Sequence, residues 1–365
     1  MFNVLHLIPT LSGGGAERQL SMLAAEQSRR GWNVHVGIRR GGVHEDFLRA
    51  SGVVIHLLGD HRGINPLLLF QINNIVKQIK PDFIQTWLPQ MDIVGGIAAL
   101  WNSVSLIISE RTTGLGYKKI KLQAWVRCHL ARYADAIVAN SSTGVDYWNN
   151  ITYIHRPIFQ IANAIDVEAI RKAISMPRKV SKLIDDKHEI LVVGRFNPDK
   201  GLETVIQSIK LIPESYNIHV SIIGEGPLHD EIEVLINVAG LHDRIALLPY
   251  LPSWWEKLKD TSVLISMSRY EGQPNVVIEA MAAGCPLIVS DIPAHRELLC
   301  EDSAMLVPLD DSAILAKTIV SFLSDSISAN QRAELAMFRT NDFTIEIAAD
   351  AYESVYEKVV KGNKY

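Results

Sequence analysis

Two carboxylates, Glu271 and Glu279, stand with seven residues between them in segment 268–290, SRYEGQPNVVIEAMAAGCPLIVS. An apolar run ends just before, a polar turn carries Glu271, and a helical pattern beginning after Pro274 carries Glu279. Asn275 reads as the N-cap of that helix and Gly284 as its stop, with Pro286 opening the next strand. Carboxylates accept paired hydrogen bonds from sugar diols. A helix N-terminus at the carboxyl end of a parallel strand presents unpaired N–H groups, which suit a diphosphate. Gly272, Pro274, Asn275 and Val276 would line that mouth. Spacing alone carries little weight, because two glutamates at this separation recur by chance.

Arg195 and Lys200 flank the turn of VVGRFNPDKGLE, residues 192–203. At the end of a strand, two such cations would neutralise a diphosphate and the charge that develops as its bond to a sugar breaks; taken singly, they read as solvated surface charges. Gly13, Gly14 and Gly15 follow the first apolar run and precede a helix starting near Ala16, so backbone there can approach an anion closely, although a tight strand–helix turn explains them as simply. Neither G-x-G-x-x-G nor G-x-x-x-x-G-K-[ST] occurs, which removes support from dinucleotide and P-loop readings. No Asp-x-Asp is present, and the twelve histidines form no H-x-x-x-H or H-E-x-x-H pair, so no metal and no cofactor are expected.

Positioning these groups falls to a chain of 365 residues, long enough for two domains. Hydrophobic residues at 48% and charged residues at 21% are ordinary for a globular protein. Short apolar runs alternate with longer helical patterns, as in parallel sheets covered by helices. Strands are expected at 3–8, 33–38, 53–57, 83–86, 105–109 and 136–139. The pattern restarts at 189–193, 219–223, 245–248, 263–267 and 286–289. The expectation is two doubly wound domains, 1–165 and 189–343, joined through 166–188, where Pro177 and mixed charge interrupt the pattern. Residues 344–365 carry Ile345, Ala348, Ala349, Tyr352, Val355, Tyr356 and Val359 at helical spacing, an amphipathic helix able to pack on either domain.

Residues 1–11 read as a strand and not a leader, and no run of about 18 apolar residues occurs. Cys128, Cys285 and Cys300 make no C-x-x-C pair; an odd count of three fits a reducing cytoplasm better than a disulfide framework. Net charge is −4, with 16 Lys/Arg against 10 Asp/Glu up to residue 165 and 20 against 30 beyond it. A basic first half suits an acidic membrane surface or a phosphorylated substrate, though two ordinary surfaces of unlike charge would give the same figures.

Taken in order, these segments resemble the family-4 retaining glycosyltransferases of bacterial polysaccharide assembly, marked by an E-x7-E signature. SGGGAERQ (12–19), VVGRFNPDKGLE (192–203), IIGEGP (222–227, with Gly224), the Glu271–Glu279 segment and SDIPAHREL (290–298) all fall in the family's order, and the resemblance spans essentially the whole chain. It implies the GT-B fold, two Rossmann-like domains facing across a cleft, with the glycine loop turned to the donor phosphates. It further implies that Glu279 binds the nucleotide ribose, that Glu271 binds hydroxyls of the transferred sugar, and that Arg195 and Lys200 stabilise the leaving diphosphate. Pro249, Tyr250 and Leu251 would lie against the base, where Pro249 replaces the family's usual glycine.

On the acceptor side, IQTWLPQMDIVGG (84–96) resembles a family loop in which histidine is common; here Gln85, Trp87 and Gln90 stand instead, and neither amide is a strong base. Family members are thought to transfer front-face, the donor's own phosphate oxygen taking the proton. Glu110 and Arg111 are further candidates, with an exposed ion pair as the plainer reading. Segment 117–133 carries Lys118, Lys119, Lys121, Arg127 and Arg132 around Ile120, Leu122, Trp125, Val126 and Leu130, either an ordinary amphipathic helix or a contact with an anionic inner leaflet.

The expected function is therefore retaining transfer of a hexose or N-acetylhexosamine from a nucleotide sugar, UDP before GDP or ADP, to a carbohydrate or lipid-linked acceptor in surface polysaccharide or lipopolysaccharide synthesis. The expected location is cytoplasmic or peripheral at the inner membrane face, with no nucleic-acid partner. The rivals are a sugar-nucleotide epimerase or hydrolase on the same fold and a non-catalytic partner subunit.

Overall fold

Strands buried on both faces read as unbroken apolar runs, because helices cover either side of a parallel sheet. The computed structural model describes residues 1–59, 65–112, 121–174 and 187–362 and divides the chain into two units, Met1–Ala164 with Phe343–Tyr365, and Ile165–Asp342. The 166–188 expectation lies partly outside the described residues, as do Lys118, Lys119 and Ile120. Residues Val167–Ala173 form a helix of the second unit.

The first unit holds β1 (Asn3–Thr10), β2 (Asn33–Arg40), β3 (Val54–Leu57), β4 (Phe83–Trp87), β5 (Ser105–Glu110), β6 (Ala136–Ala139) and β7 (Ile158–Gln160), in the order β3-β2-β1-β4-β5-β6-β7. The second holds β8 (His188–Val193), β9 (Ile218–Ile223), β10 (Ile245–Leu248), β11 (Val263–Ser266), β12 (Leu287–Ser290) and β13 (Met305–Val307), in the order β10-β9-β8-β11-β12-β13. All pairings are parallel. These are two doubly wound sheets, and the eleven expected strands lie within two residues of their expected bounds. β7 and β13 were not expected; each is a three-residue edge strand, too short to show a period.

In each sheet the winding reverses at one place, between β1 and β4 and between β8 and β11. Loops leaving the carboxyl ends of such strand pairs diverge and leave a crevice, where open α/β sheets bind ligands. The helix Ile345–Gly362 belongs to the first unit and buries Ala348, Ala349, Tyr352, Val355, Tyr356 and Val359. The Tyr356 ring stacks on Phe83 with centroids 4.3 Å apart, and its hydroxyl donates to Gln85 Oε1 at 2.5 Å. Arg30 adds ion pairs to Asp350 at 2.6 Å and Glu353 at 3.1 Å. Apolar burial dominates this docking, since each large side chain contributes about 1.5–3 kcal/mol and each exposed ion pair about 0–1 kcal/mol. Among the described residues no helix is long and apolar enough to cross a membrane.

Candidate active site

In the second unit the loop after β8 is pressed against those after β11 and β9, and glycine makes this possible. A Cβ on Gly201, which has φ of 60°, would lie 2.3 Å from the Met267 carbonyl oxygen; one on Gly224 would lie 1.9 Å from that of Gly194. β8 thus runs through Gly194 and an exposed Arg195 into the turn Pro198–Lys200, and delivers Lys200 against the β11 loop. Arg269 fastens the same turn from the β11 side: its guanidinium bonds Asp310 Oδ1 at 2.8 Å, Glu203 and the Pro198 carbonyl, and its own N–H donates to Asp199 O at 2.7 Å.

Lys200 Nζ donates to Glu271 Oε1 at 2.5 Å, and Ser268 Oγ donates to the same oxygen at 2.8 Å. The side chains retain 22% and 18% exposure. Burial works to lower the Lys200 pKa, but the charge of Glu271 and the bond to it outweigh burial and raise it; Arg195 acts against that rise. For Glu271 burial works upward, and the charge and hydrogen bond of Lys200, with the Ser268 bond, hold the carboxyl below its usual range. Both groups are ionised at neutral pH. Both bonds fall on Oε1.

The helix Asn275–Ala282 starts beside this pair with no acidic residue in its first turn. Pro274, in extended geometry, occupies the cap position without a side-chain cap bond, so Asn275 is the first helical residue and not the expected N-cap. Gly272 and Pro274 are buried, while Asn275 and Val276 are partly so. Glu279 is fully buried in the second turn. Gly284, with φ of 61°, ends the segment as expected. Gly224 N donates to Leu248 O at 3.0 Å, which ties the β9 loop to the exposed Pro249 and half-buried Tyr250 and Leu251 after β10.

A group that motif reading passed over is His295, in the helix Pro293–Leu298 after β12. It is fully buried, its Nδ1 lies 2.7 Å from the Ser290 carbonyl, and Ser290 Oγ donates to Ser268 O at 2.5 Å. Burial lowers its pKa, and the charges of Glu271 and Lys200 both act on the ring. The motif SDIPAHREL contained it, but a lone histidine carries no signal until β11 and β12 are known to be neighbours.

In the first unit Gly13 has φ of 100°, Gly14 caps the helix Gly15–Arg29 by backbone alone, and Gly15 is its first residue. The buried Glu17, which accepts from Thr10 Oγ1 at 3.0 Å, puts a carboxylate in that first turn. Gln85 is fully buried between Ser109 Oγ at 2.8 Å and Tyr356. Trp87 is buried too, donating to His6 Nδ1 at 3.3 Å, and Gln90 accepts from Arg39 at 2.8 Å. Glu110 overturns the exposed-pair expectation: it is fully buried and bonds Arg127 at 2.8 Å and Trp148 Nε1 at 3.0 Å, while Arg127 also bonds Asp92 at 2.5 Å. Desolvated carboxylates require such partners. Arg111 lies over the Trp87 ring at 4.3 Å and bonds Asn163 at 3.0 Å and the Tyr352 hydroxyl.

Among the described residues one group, the exposed His229, Asp230 and Glu233, brings potential metal-ligand atoms together. It stands apart from the Lys200–Glu271 pair in sequence and in its exposure.

Residues 13–169 match the model for Glycosyltransferase Family 4, and residues 176–337 match that for Glycosyl transferases group 1. An uncharacterized glycosyltransferase of Methanocaldococcus jannaschii is 24% identical over 272 residues, 67% of this chain and 66% of that protein. The N-acetylgalactosamine-N,N'-diacetylbacillosaminyl-diphospho-undecaprenol 4-alpha-N-acetylgalactosaminyltransferase of Campylobacter jejuni is 26% identical over 364 residues, 94% of this chain and 96% of its own. The crystal structure of Anabaena HepE with UDP and glucose superposes with a TM-score of 0.86 at 18% identity, over 98% of this chain and 100% of that one.

Proposed function

This chain belongs to the family-4 glycosyltransferases and has the GT-B fold, and on that footing we propose that it is a retaining enzyme moving a hexose or N-acetylhexosamine from a UDP-sugar to a lipid-linked or other saccharide acceptor in surface polysaccharide or lipopolysaccharide synthesis. The observation that carries this reading is the Lys200–Glu271 pair, held at 2.5 Å where the second sheet reverses its winding and beside the open N-terminus of Asn275–Ala282. Arg195, Lys200 and that helix end meet the charge of the departing diphosphate, so no divalent ion is required. Glu271 takes sugar hydroxyls on Oε2, Glu279 takes the ribose, and the backbone of 249–251 faces the base. With the glutamines of 84–96 unsuited to proton abstraction, the phosphate oxygen of the donor takes the acceptor's proton. Further support comes from the Campylobacter relative, named for a diphospho-undecaprenol substrate, and from HepE, solved with UDP and glucose.

A lipid-borne acceptor also fits the helix Lys121–Ala131, on which Leu122 is 75% and Trp125 59% exposed. Arg127 points inward to Asp92 and Glu110, so it takes no part in such a contact. Thermal-shift titration with UDP-, GDP- and ADP-sugars tests the donor, since a bound ligand stabilises the folded state by RT ln(1 + [L]/Kd). Stabilisation by UDP-sugars and loss of turnover in Arg195→Ala and Lys200→Ala at saturating donor are expected. Near-normal turnover in both variants refutes the reading, and epimer formation from labelled UDP-sugar without acceptor would favour the epimerase rival.

A further inference from the structure

The two ring nitrogens of His295 have different fates. A carbonyl oxygen only accepts, so Nδ1, at 2.7 Å from Ser290 O, must carry the proton and donate it. In the neutral ring Nε2 is then a bare acceptor. Burial keeps the ring neutral at physiological pH. Nε2 is itself buried and has no hydrogen-bond partner among the described residues. An unsatisfied buried acceptor is costly unless something fills it, and native proteins keep few of them.

The surroundings say what would fill it. Ser290 Oγ bonds Ser268 O, Ser268 Oγ bonds Glu271 Oε1, and Glu271 bonds Lys200, so one chain of contacts fixes the imidazole relative to the proposed sugar-binding carboxylate. Glu271 and Lys200 are close enough for both charges to act on the ring. A neutral acceptor beside a carboxylate acceptor is the complement of neighbouring hydroxyl groups, each of which needs somewhere to donate.

We infer that His295 Nε2 accepts a hydrogen bond from one hydroxyl of the transferred sugar, which makes His295 a specificity-determining residue of the donor site. The inference rests on the donor reading above and deepens it: the nucleotide is held without His295, and the identity of the hexose is sensed by it.

Two substitutions separate the nitrogens. His295→Asn keeps a donor near Nδ1 and removes Nε2, whereas His295→Gln extends an amide oxygen toward the Nε2 position. Calorimetric titration of the full chain with UDP, UDP-glucose, UDP-galactose and their two N-acetylhexosamine counterparts measures how much the sugar adds to UDP binding. For the sugar that adds most, His295→Asn is expected to lower that increment by about tenfold, the size of one neutral hydrogen bond, with UDP affinity held within about twofold, and His295→Gln to recover part of it. Monodeoxy forms of that donor should reveal one hydroxyl whose removal weakens the wild type but not His295→Asn. UDP and UDP-sugar affinities falling together, an unchanged increment in His295→Asn, or no recovery in His295→Gln overturns the inference while leaving the donor reading intact. A wild-type chain that binds neither UDP nor any of the four sugars overturns both.

Discussion

Replacing Lys200 by Met keeps most of the stem and deletes the charge, and its consequences follow from a pair 2.5 Å apart with about one fifth of each side chain exposed. At an effective dielectric of about 20 and a charge separation of about 4 Å the attraction is ~4 kcal/mol, comparable to the several kcal/mol that desolvating an ion costs. The intact pair therefore contributes little net stability. Removing one partner is different, because Glu271 is left desolvated without its counter-charge and with only the neutral Ser268 bond, a change worth about 3 kcal/mol, or roughly 6–12 °C in the thermal midpoint of a domain this size. Turnover should fall by about 10²–10³ at saturating donor, as when one preorganised charge-stabilising donor is lost. Glu271 supplies a second readout. Its carboxyl is now held low against burial, mainly by Lys200, so it stabilises the fold above the unfolded-state value and that contribution is lost only as pH falls through the lower folded value. Without Lys200 the largest influences holding the carboxyl low are gone, so its pKa rises and the acid limb of kcat/KM should move to higher pH. Adding Glu271→Gln to Lys200→Met should restore the thermal midpoint but not turnover. Turnover within about tenfold of wild type in Lys200→Met, or recovery of turnover together with stability in the double variant, would refute the reasoning.

Arg269→Ala removes the bonds to Asp310, Glu203 and the Pro198 carbonyl, so it should cost about 2 kcal/mol and weaken UDP binding several-fold by loosening the turn that carries Lys200, as thermal melts and calorimetry would show. Gly224→Ala drives a methyl to 1.9 Å from Gly194 O, and about 3 kcal/mol of destabilisation with loss of UDP affinity is expected; Gly362→Ala, where an added methyl meets nothing within 4 Å, is the control. Trp125→Glu should reduce co-sedimentation with anionic phospholipid vesicles while leaving UDP affinity unchanged, and equal sedimentation of both proteins would remove the membrane contact from the scheme.

The sheets were legible because strands covered on both faces keep an apolar centre, as in the fully buried β6 and the apolar runs inside β1, β4 and β5, even where His6, Gln85 or Ser109 interrupts them. β7 and β13 escape notice because three residues at a sheet edge carry too little pattern. Side-chain direction was the harder quantity. Arg127 looks like one more surface cation in a basic helix, yet Glu110 and Asp92, 17 and 35 residues away, draw it into the interior. Gln85 stands mid-way along β4, in a segment that reads as an acceptor-side loop, and its amide is spent on Ser109 and on Tyr356, 271 residues later. His295 became visible only once the β11–β12 pairing brought Ser290 to Ser268. Each miss depends on a contact between distant segments that local pattern cannot encode.

The two reversal points also differ in what they leave for a ligand. Beside β1 and β4 the polar groups are largely turned to internal work: Glu17 sits in the helix turn that an anion would use, Gln85 and Trp87 are buried, and Gln90 holds Arg39. Beside β8 and β11 the internal bonds converge on one oxygen, Glu271 Oε1, while Arg195 is exposed and the neighbouring helix N-terminus carries no acidic residue. A doubly wound sheet guarantees a crevice at both places. An anionic, hydroxyl-rich donor needs polar groups that are positioned without being exhausted, and this difference, more than the spacing of two glutamates, is what supports the proposal that the second unit recognises the donor.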